Sequence, residues 1–252
     1  MASRRGQLLD GVLLLDKPEG LSSNHALQRA KRTVDARKAG HTGTLDPFAT
    51  GLLVCCFGRA TKISAAMLEA DKVYEATITF GEETDSGDLT GHIVAQAGDD
   101  FVAVQPDALE TVLAGFRGQI EQVPPMVSAL KRDGKPLYEY ARQGIVLDRP
   151  PRQITIHTLD LLACDGRTAQ LLVHCSKGTY VRTLAQDIGR QLGCLGHLSA
   201  LRRTAVGPFS IDRAVALDAL QAMDSPASAL IPLHALPAGL RPTSVSTEEN
   251  IL

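Results

Sequence analysis

Twelve residues, GHTGTLDPFATG at positions 40–51, do most to limit how this chain can fold. Glycines at 40, 43 and 51 permit positive φ, while Pro47 fixes its own φ and presses Leu45–Asp46 towards extended geometry. The stretch has too many special backbone positions for a helix and too few alternating apolar residues for a strand. It reads as a shaped loop, leading directly into LLVCCF (52–57), which is a buried strand like GVLLL (11–15) upstream. One carboxylate, Asp46, sits in the loop, with His41 five residues before it. Most loop aspartates cap helices or close turns. Shaped loops on rigid scaffolds also carry chemistry, so the rest of the chain has to decide.

The remaining segments predict more strands than helices. Ser22 or Ser23 caps a helix with Leu27, Ala30 and Val34 on one face and Arg29, Lys31 and Arg32 outside. Residues 61–70 are helical by the spacing of Ile63, Ala66, Met67 and Ala70. KVYEATITF (72–80) alternates strictly, placing Tyr74, Ala76, Ile78 and Phe80 on one face. EETDSGDLTG (82–91) reads as a turn before the strand HIVAQ, and a helix follows near 107–117. IEQVPPMVSALK crosses Pro124–Pro125 into a strand, and LYEYARQG is a short helix ended by Gly144. ITIHTLDLLAC and TAQLLVHCS form an antiparallel pair joined through Asp165–Gly166. TYVRTLAQDIGRQLG is the clearest helix, LSALRRTAV a strand, and 212–222 a helix. From Pro226 the chain reads as loop, ending STEENIL with no packed element. Hairpin-like neighbours outnumber β-α-β crossovers, so the expected class is α+β, a central mixed, largely antiparallel sheet flanked by helices.

With 252 residues, 44% of them hydrophobic, the chain can bury one large core. No apolar run reaches the length of a membrane span, and MASRRGQLLD lacks the apolar stretch of an export signal. Five cysteines, with an adjacent Cys55–Cys56 pair and no C-x-x-C, suit a reducing cytoplasm and offer no zinc spacing. The net charge of −2 hides strong segregation: residues 81–125 carry one Lys/Arg against nine Asp/Glu, and 126–214 carry thirteen against seven. A chain so divided can present a positive face to phosphates.

Three kinds of chemistry would use the Asp46 loop. Phosphoryl transfer through a TGTL loop wants a nucleophilic aspartate two residues before the first threonine, where Gly40 stands. Glycoside hydrolysis wants a second carboxylate in a comparably shaped segment, and none is present. The third pairs Asp46 with a base and an aromatic. Arg182 falls in the first turn of a helix, where the dipole disfavours a cation unless an anion is near. Tyr74 points inward with a hydroxyl that needs a partner.

The motifs GVLLLDKPEGLSSNHAL, GHTGTLDPFATGLL, DKVYEATITFGEETDSGDLTG, PPMVSALKRDGKPLYEYARQG, CSKGTYVRTLAQDIG and LRRTAVGPF occur in that order. Together they resemble the tRNA pseudouridine-55 synthases of the TruB type, over residues 11 to about 235. The resemblance implies a pseudouridine synthase fold and an intramolecular isomerase without cofactor or metal. It implies Asp46 as the catalytic aspartate, Tyr74 as the ring that stacks on the flipped base, and Arg182 as the arginine paired with the aspartate. Tyr180 matches the substrate-binding neighbour of that arginine, and His41 the histidine that fills the space the target vacates. Leu201 matches an apolar pocket residue and Lys17 a lysine near it.

The chemistry agrees with that assignment. Turning uridine into pseudouridine breaks a C–N glycosidic bond and re-forms it as C–C, with no redox change. One carboxylate suffices, whether it attacks C1′, attacks C6 or assists a glycal. A base inside a folded RNA arm must be extruded, and an aromatic face recovers part of the lost stacking. The implied partner is the T-stem loop of tRNA, gripped by Arg29, Lys31, Arg32, Arg37 and Lys38 and by Lys131, Arg132 and Lys135. A monomer in the cytoplasm, with no membrane partner, is expected. The alternative is a tRNA-binding and folding factor.

Two departures stand out. The family usually has tyrosine where Val127 stands. It also carries a PUA-type RNA-binding domain after the catalytic body. Here residues 8–235 are read as the catalytic domain, and 236–252 as the remnant or start of a truncated PUA-type domain.

Overall fold

Strands Gly11–Lys17 and Thr50–Phe57 run antiparallel, with Leu13 opposite Cys55 and Leu15 opposite Leu53. They belong to a computed structural model that describes residues 6–98 and 101–241. Two compact units are present: residues up to Ala70 together with those from Val206 onward, and Asp71–Ala205.

In the first unit, Leu13, Leu15, Leu53, Cys55 and Phe57 pack on Ala26, Leu27 and Ala30 of helix Ser23–Thr33 and on Leu217 and Leu220. On the other face Val12, Leu14, Leu52, Val54 and Cys56 pack on Ile63, Met67, Phe209 and Leu236. Burial on both faces is why these strands read as continuous apolar runs. Each buried leucine contributes about 1.5–3 kcal/mol. The Ser22 hydroxyl caps the helix, accepting from the His25 amide at 3.2 Å. Strand Val215–Ala216 joins Gly11–Lys17 in parallel, so strand directions are mixed.

The expected helix over 61–70 begins as a 3-10 turn, Gly58–Ile63, and only Ser64–Glu69 is α-helical, with Ala66 exposed. The expected helix over 212–222 is likewise reduced to Leu217–Ala222. The segment from Pro226 is packed: Val12 and Ile231 exchange backbone hydrogen bonds of 2.9 and 2.8 Å. Residues 242–252, including the STEENIL end, lie outside the described residues.

The second unit orders its strands Gly196–Val206, Lys72–Phe80, Thr168–Cys175, Arg152–Cys164 and Gly118–Gln122. From Lys72–Phe80 to Gly118–Gln122 each neighbour is antiparallel. Strand Lys72–Phe80 buries Tyr74, Ala76, Ile78 and Phe80 and exposes Glu75, as its alternation predicts. Helix Pro106–Phe116 buries Leu109 and Leu113 and packs on Arg152–Cys164 and on helix Val181–Gln191.

The strand expected after Pro124–Pro125 does not form; consecutive prolines cannot donate to a ladder. Only Lys131–Arg132 pairs, with Lys135–Pro136, around Asp133 and Gly134 at φ 51° and 80°. The fold is α+β with mixed strands, as the sequence pattern implies.

Candidate active site

Strand Ala39–His41 pairs with Thr50–Phe57, His41 opposite Cys55, so the GHTGTLDPFATG stretch is the connection of a β-hairpin with its two ends. Gly43 and Gly51 take φ of 86° and 99°, whereas Gly40 lies in the strand. Half-buried Asp46 is bracketed by two pinned neighbours. On one side, the buried Ser23 hydroxyl accepts from the Leu45 amide at 2.7 Å and donates to the Leu45 carbonyl at 3.0 Å. On the other, the Pro47 carbonyl accepts from the Gly20 amide at 2.8 Å and from Lys17 Nζ at 3.3 Å. Lys17 is wholly buried and also donates to the carbonyls of Pro18 and Leu21, at 2.8 and 2.7 Å. The Asp46 carbonyl itself accepts from Ala49 at 3.1 Å. The first unit thus brings Lys17 to the Asp46 loop and places His41 at its entry.

The second unit positions the other four expected residues. Tyr74 is buried on Lys72–Phe80, and Leu201 is buried on the adjacent strand Gly196–Val206. Tyr180 sits at the N-cap of helix Val181–Gln191, and Arg182 in its first turn. The Gln122 side chain, itself 2% exposed, holds the Tyr180 backbone at both ends. It accepts from the Tyr180 amide at 2.8 Å and donates to the Tyr180 carbonyl at 3.1 Å.

Arg182, Gln186 and Arg190 stand at four-residue spacing and all reach the acidic hairpin Glu82–Thr84/Ile93–Gln96 with its turn. Arg182 Nη1 donates to the Ser86 carbonyl at 2.8 Å, and its Nε lies 3.7 Å from Asp88 Oδ2. Both side chains are nearly inaccessible, at 4% and 5%. Asp88 supplies an anion to a guanidinium at an unfavourable helix end, and is itself held by the Ser86 hydroxyl and by Thr90. Gln186 donates to the Thr84 carbonyl at 3.0 Å, and Arg190 grips Glu83 with two nitrogens. Gly87 is required there: at φ 74°, a Cβ would stand 2.9 Å from the Gln186 Oε1.

Beside this stripe, burial holds the Asp187 carboxyl above its ordinary range, against the pull of Arg190 and with a push from Glu83. Arg182 Nη2 donates to the Val127 carbonyl at 2.7 Å, while the Val127 side chain is 39% exposed. A backbone atom makes that contact, so valine serves it as well as tyrosine.

Ser23, Gln122, Asp88 and Gln186 are the residues that sequence reasoning missed. The spacing of Arg182, Gln186 and Arg190 was a legible signal; the other contacts have no local signature. The basic side chains Arg29, Arg32, Arg37 and Lys38 are exposed in the first unit, with Lys31 half-buried. Lys131, Arg132 and Lys135 are exposed in the second.

Residues 31–181 match the family model for the TruB family pseudouridylate synthase N-terminal domain. Residues 182–242 match that for the tRNA pseudouridylate synthase B C-terminal domain. The chain is 73% identical over 244 residues to the tRNA pseudouridine synthase B of Bordetella pertussis, covering 97% of this chain and 100% of that one. Among solved structures it is similar to a chain of a Cbf5-Nop10-Gar1 complex, at 30% identity and a TM-score of 0.70. That match covers 89% of this chain and 60% of the other. A chain of an H/ACA RNP bound to a substrate RNA containing 2′-deoxyuridine matches at 25% identity and a TM-score of 0.67, covering 92% and 65%. The chain therefore belongs to the TruB family of pseudouridylate synthases, and is an isomerase that converts uridine in tRNA to pseudouridine.

Proposed function

We propose that the uridine acted on lies in the T-stem loop of tRNA, at conventional position 55, and that Asp46 is the catalytic carboxylate. His41, Tyr74, Tyr180, Arg182, Leu201 and Lys17 are assigned to binding and framing that uridine. The observation that carries this reading is the pinning of Leu45 and Pro47, which fixes the backbone on either side of half-buried Asp46. Fixed groups need no reorganisation when charge develops in the transition state. Tyr74, buried on its strand, is assigned as the ring on which the extruded base stacks. Lys17 acts on the base through the loop that it ties down.

The exposed basic segments hold the phosphates of the stem, which positions the RNA without reading its sequence. In this reading residues 8–235 form the catalytic domain. Residues 236–252 are read as the remnant or start of a PUA-type domain, with Leu236 packed in the core of the first unit. The chain acts as a monomer in the cytoplasm: one copy carries every residue named, and all five cysteines are free thiols. No helix among the described residues is long and apolar enough to cross a membrane.

The test is to incubate purified protein with unmodified tRNA and with a T-arm hairpin, then map pseudouridine in each. Both should gain it at the single loop position. Affinity should fall steeply with salt as counterions are released. Modification elsewhere in tRNA with an unmodified hairpin would overturn the T-loop assignment. Binding without product would favour a tRNA-folding factor.

A further inference from the structure

Three ligand-type side chains, none of them among the residues assigned above, meet on the solvent face of the second unit: Asp71, His157 and His174. Strand Thr168–Cys175 buries Val173 and Cys175, so alternation turns His174 outward between them. His174 stands opposite Val73 of the neighbouring strand, and Asp71, two residues earlier, shares that face. On the other side the register slips: Ile156 is opposite Cys175, but Thr158 is opposite His174. His157 is the extra residue of that bulge, and bulges re-aim side chains. Its ring centre stands 4.7 Å from that of His174, and its Nε2 lies 3.2 Å from Asp71 Oδ2.

One ligand atom from each residue lies within 4.8 Å of the other two. A tetrahedral zinc ion with bonds of about 2.0–2.1 Å separates its ligand atoms by about 3.3 Å. The His157–Asp71 pair already has that spacing, and His174 is half-exposed beside it. An ion pair alone would use only two of the three. Two imidazole nitrogens and one carboxylate suit zinc, cobalt or nickel, whereas magnesium and calcium favour oxygen ligands.

We infer that Asp71, His157 and His174 form a binding site for a divalent cation of the zinc class, with a fourth position open to water. A bound ion ties three adjacent strands together at the end of Lys72–Phe80 nearest Tyr74.

The test uses tag-free protein, calorimetric titration with Zn²⁺ and with Mg²⁺, and thermal melting with and without zinc. One Zn²⁺ should bind per chain, Mg²⁺ should not, and the melting temperature should rise with zinc concentration. Co²⁺ should give the visible absorption of a low-coordinate, nitrogen-ligated ion. Loss of an outer-shell partner alone costs roughly 10–100-fold in affinity, so His157→Gln or His174→Gln should weaken zinc by roughly a hundredfold. Without metal, both variants should melt with the wild type, because neither imidazole is in the core. Asp71→Asn provides a third variant should either fold poorly. Zinc binding that survives all three substitutions, held elsewhere by cysteines, would overturn the site. So would a wild type that binds no zinc at about 0.1 mM.

Discussion

The Ser23 hydroxyl meets Leu45 twice, accepting from its amide and donating to its carbonyl, and so holds the residue next to Asp46 by both backbone groups. Ser23→Ala leaves two buried groups without that partner, at a cost of about 1–3 kcal/mol. We expect a lower urea midpoint and a several-fold slower single-turnover rate, with RNA affinity nearly unchanged. Wild-type turnover in this variant would show that the loop keeps its shape without the hydroxyl.

Asp46→Asn should abolish turnover and leave tRNA affinity within a few-fold, since no other carboxylate lies in the loop. Turnover above about one hundredth of wild type would refute its role as the catalytic carboxylate.

Arg182→Lys should be nearly as damaging as Arg182→Ala. The guanidinium reaches the Ser86 and Val127 carbonyls with separate nitrogens, a span that a single ammonium cannot reproduce. Comparing kcat and KM across the two variants checks this; full activity in the lysine variant would mean that charge alone matters.

Asp187 gives a stability prediction with a defined sign. Its folded-state carboxyl lies above the ordinary range because it is buried, so the folded protein binds more protons than the unfolded chain. Stability therefore falls as pH rises from the unfolded value, about 3.9, through the folded one. Asp187→Asn should be more stable than wild type at neutral pH. Denaturant midpoints of the two should converge as the pH approaches about 3.9. A constant difference across that window would contradict the assignment.

Cysteine reactivity should follow burial. Cys55, Cys56, Cys175 and Cys194 are buried, and burial pushes the Cys56 and Cys175 thiols up to about 11. Half-buried Cys164 should be the first alkylated by iodoacetamide at about pH 8, as read by mass spectrometry. Early labelling of Cys56 would show that the Thr50–Phe57 strand opens in solution.

In the longest elements local periodicity and structure agree, whereas over 61–70 a 3-10 turn takes the first part of the expected helix. Alternation in Lys72–Phe80 and the apolar stripe of Val181–Gln191 placed Tyr74 and Arg182 correctly within their elements. Special backbone residues likewise marked 40–51 as a loop. What could not be read are contacts whose partners are remote in sequence. Gln122 and Tyr180 lie 58 residues apart, and Ser23 and Leu45 lie 22 apart. The bulge at His157 is of the same kind, since it exists only relative to the neighbouring strand. The Asp133–Gly134 hairpin is different: Asp-Gly is a local turn signal, and the turn forms where it stands, past the prolines.

The bond exchange between Val12 and Ile231 sets an order of events on the ribosome. Asp71–Ala205 emerges as one continuous stretch and has its own strand partners at hand. The Gly11–Lys17 strand instead waits for Val215 and Ile231 to be synthesised. At roughly 5–20 residues per second, that delay is on the order of ten seconds or more. Throughout it one apolar strand edge stays open to wrong pairing, the condition under which nascent chains aggregate. The half of the protein that carries Asp46 begins first and finishes last, so it is the half for which chaperone protection during translation matters most.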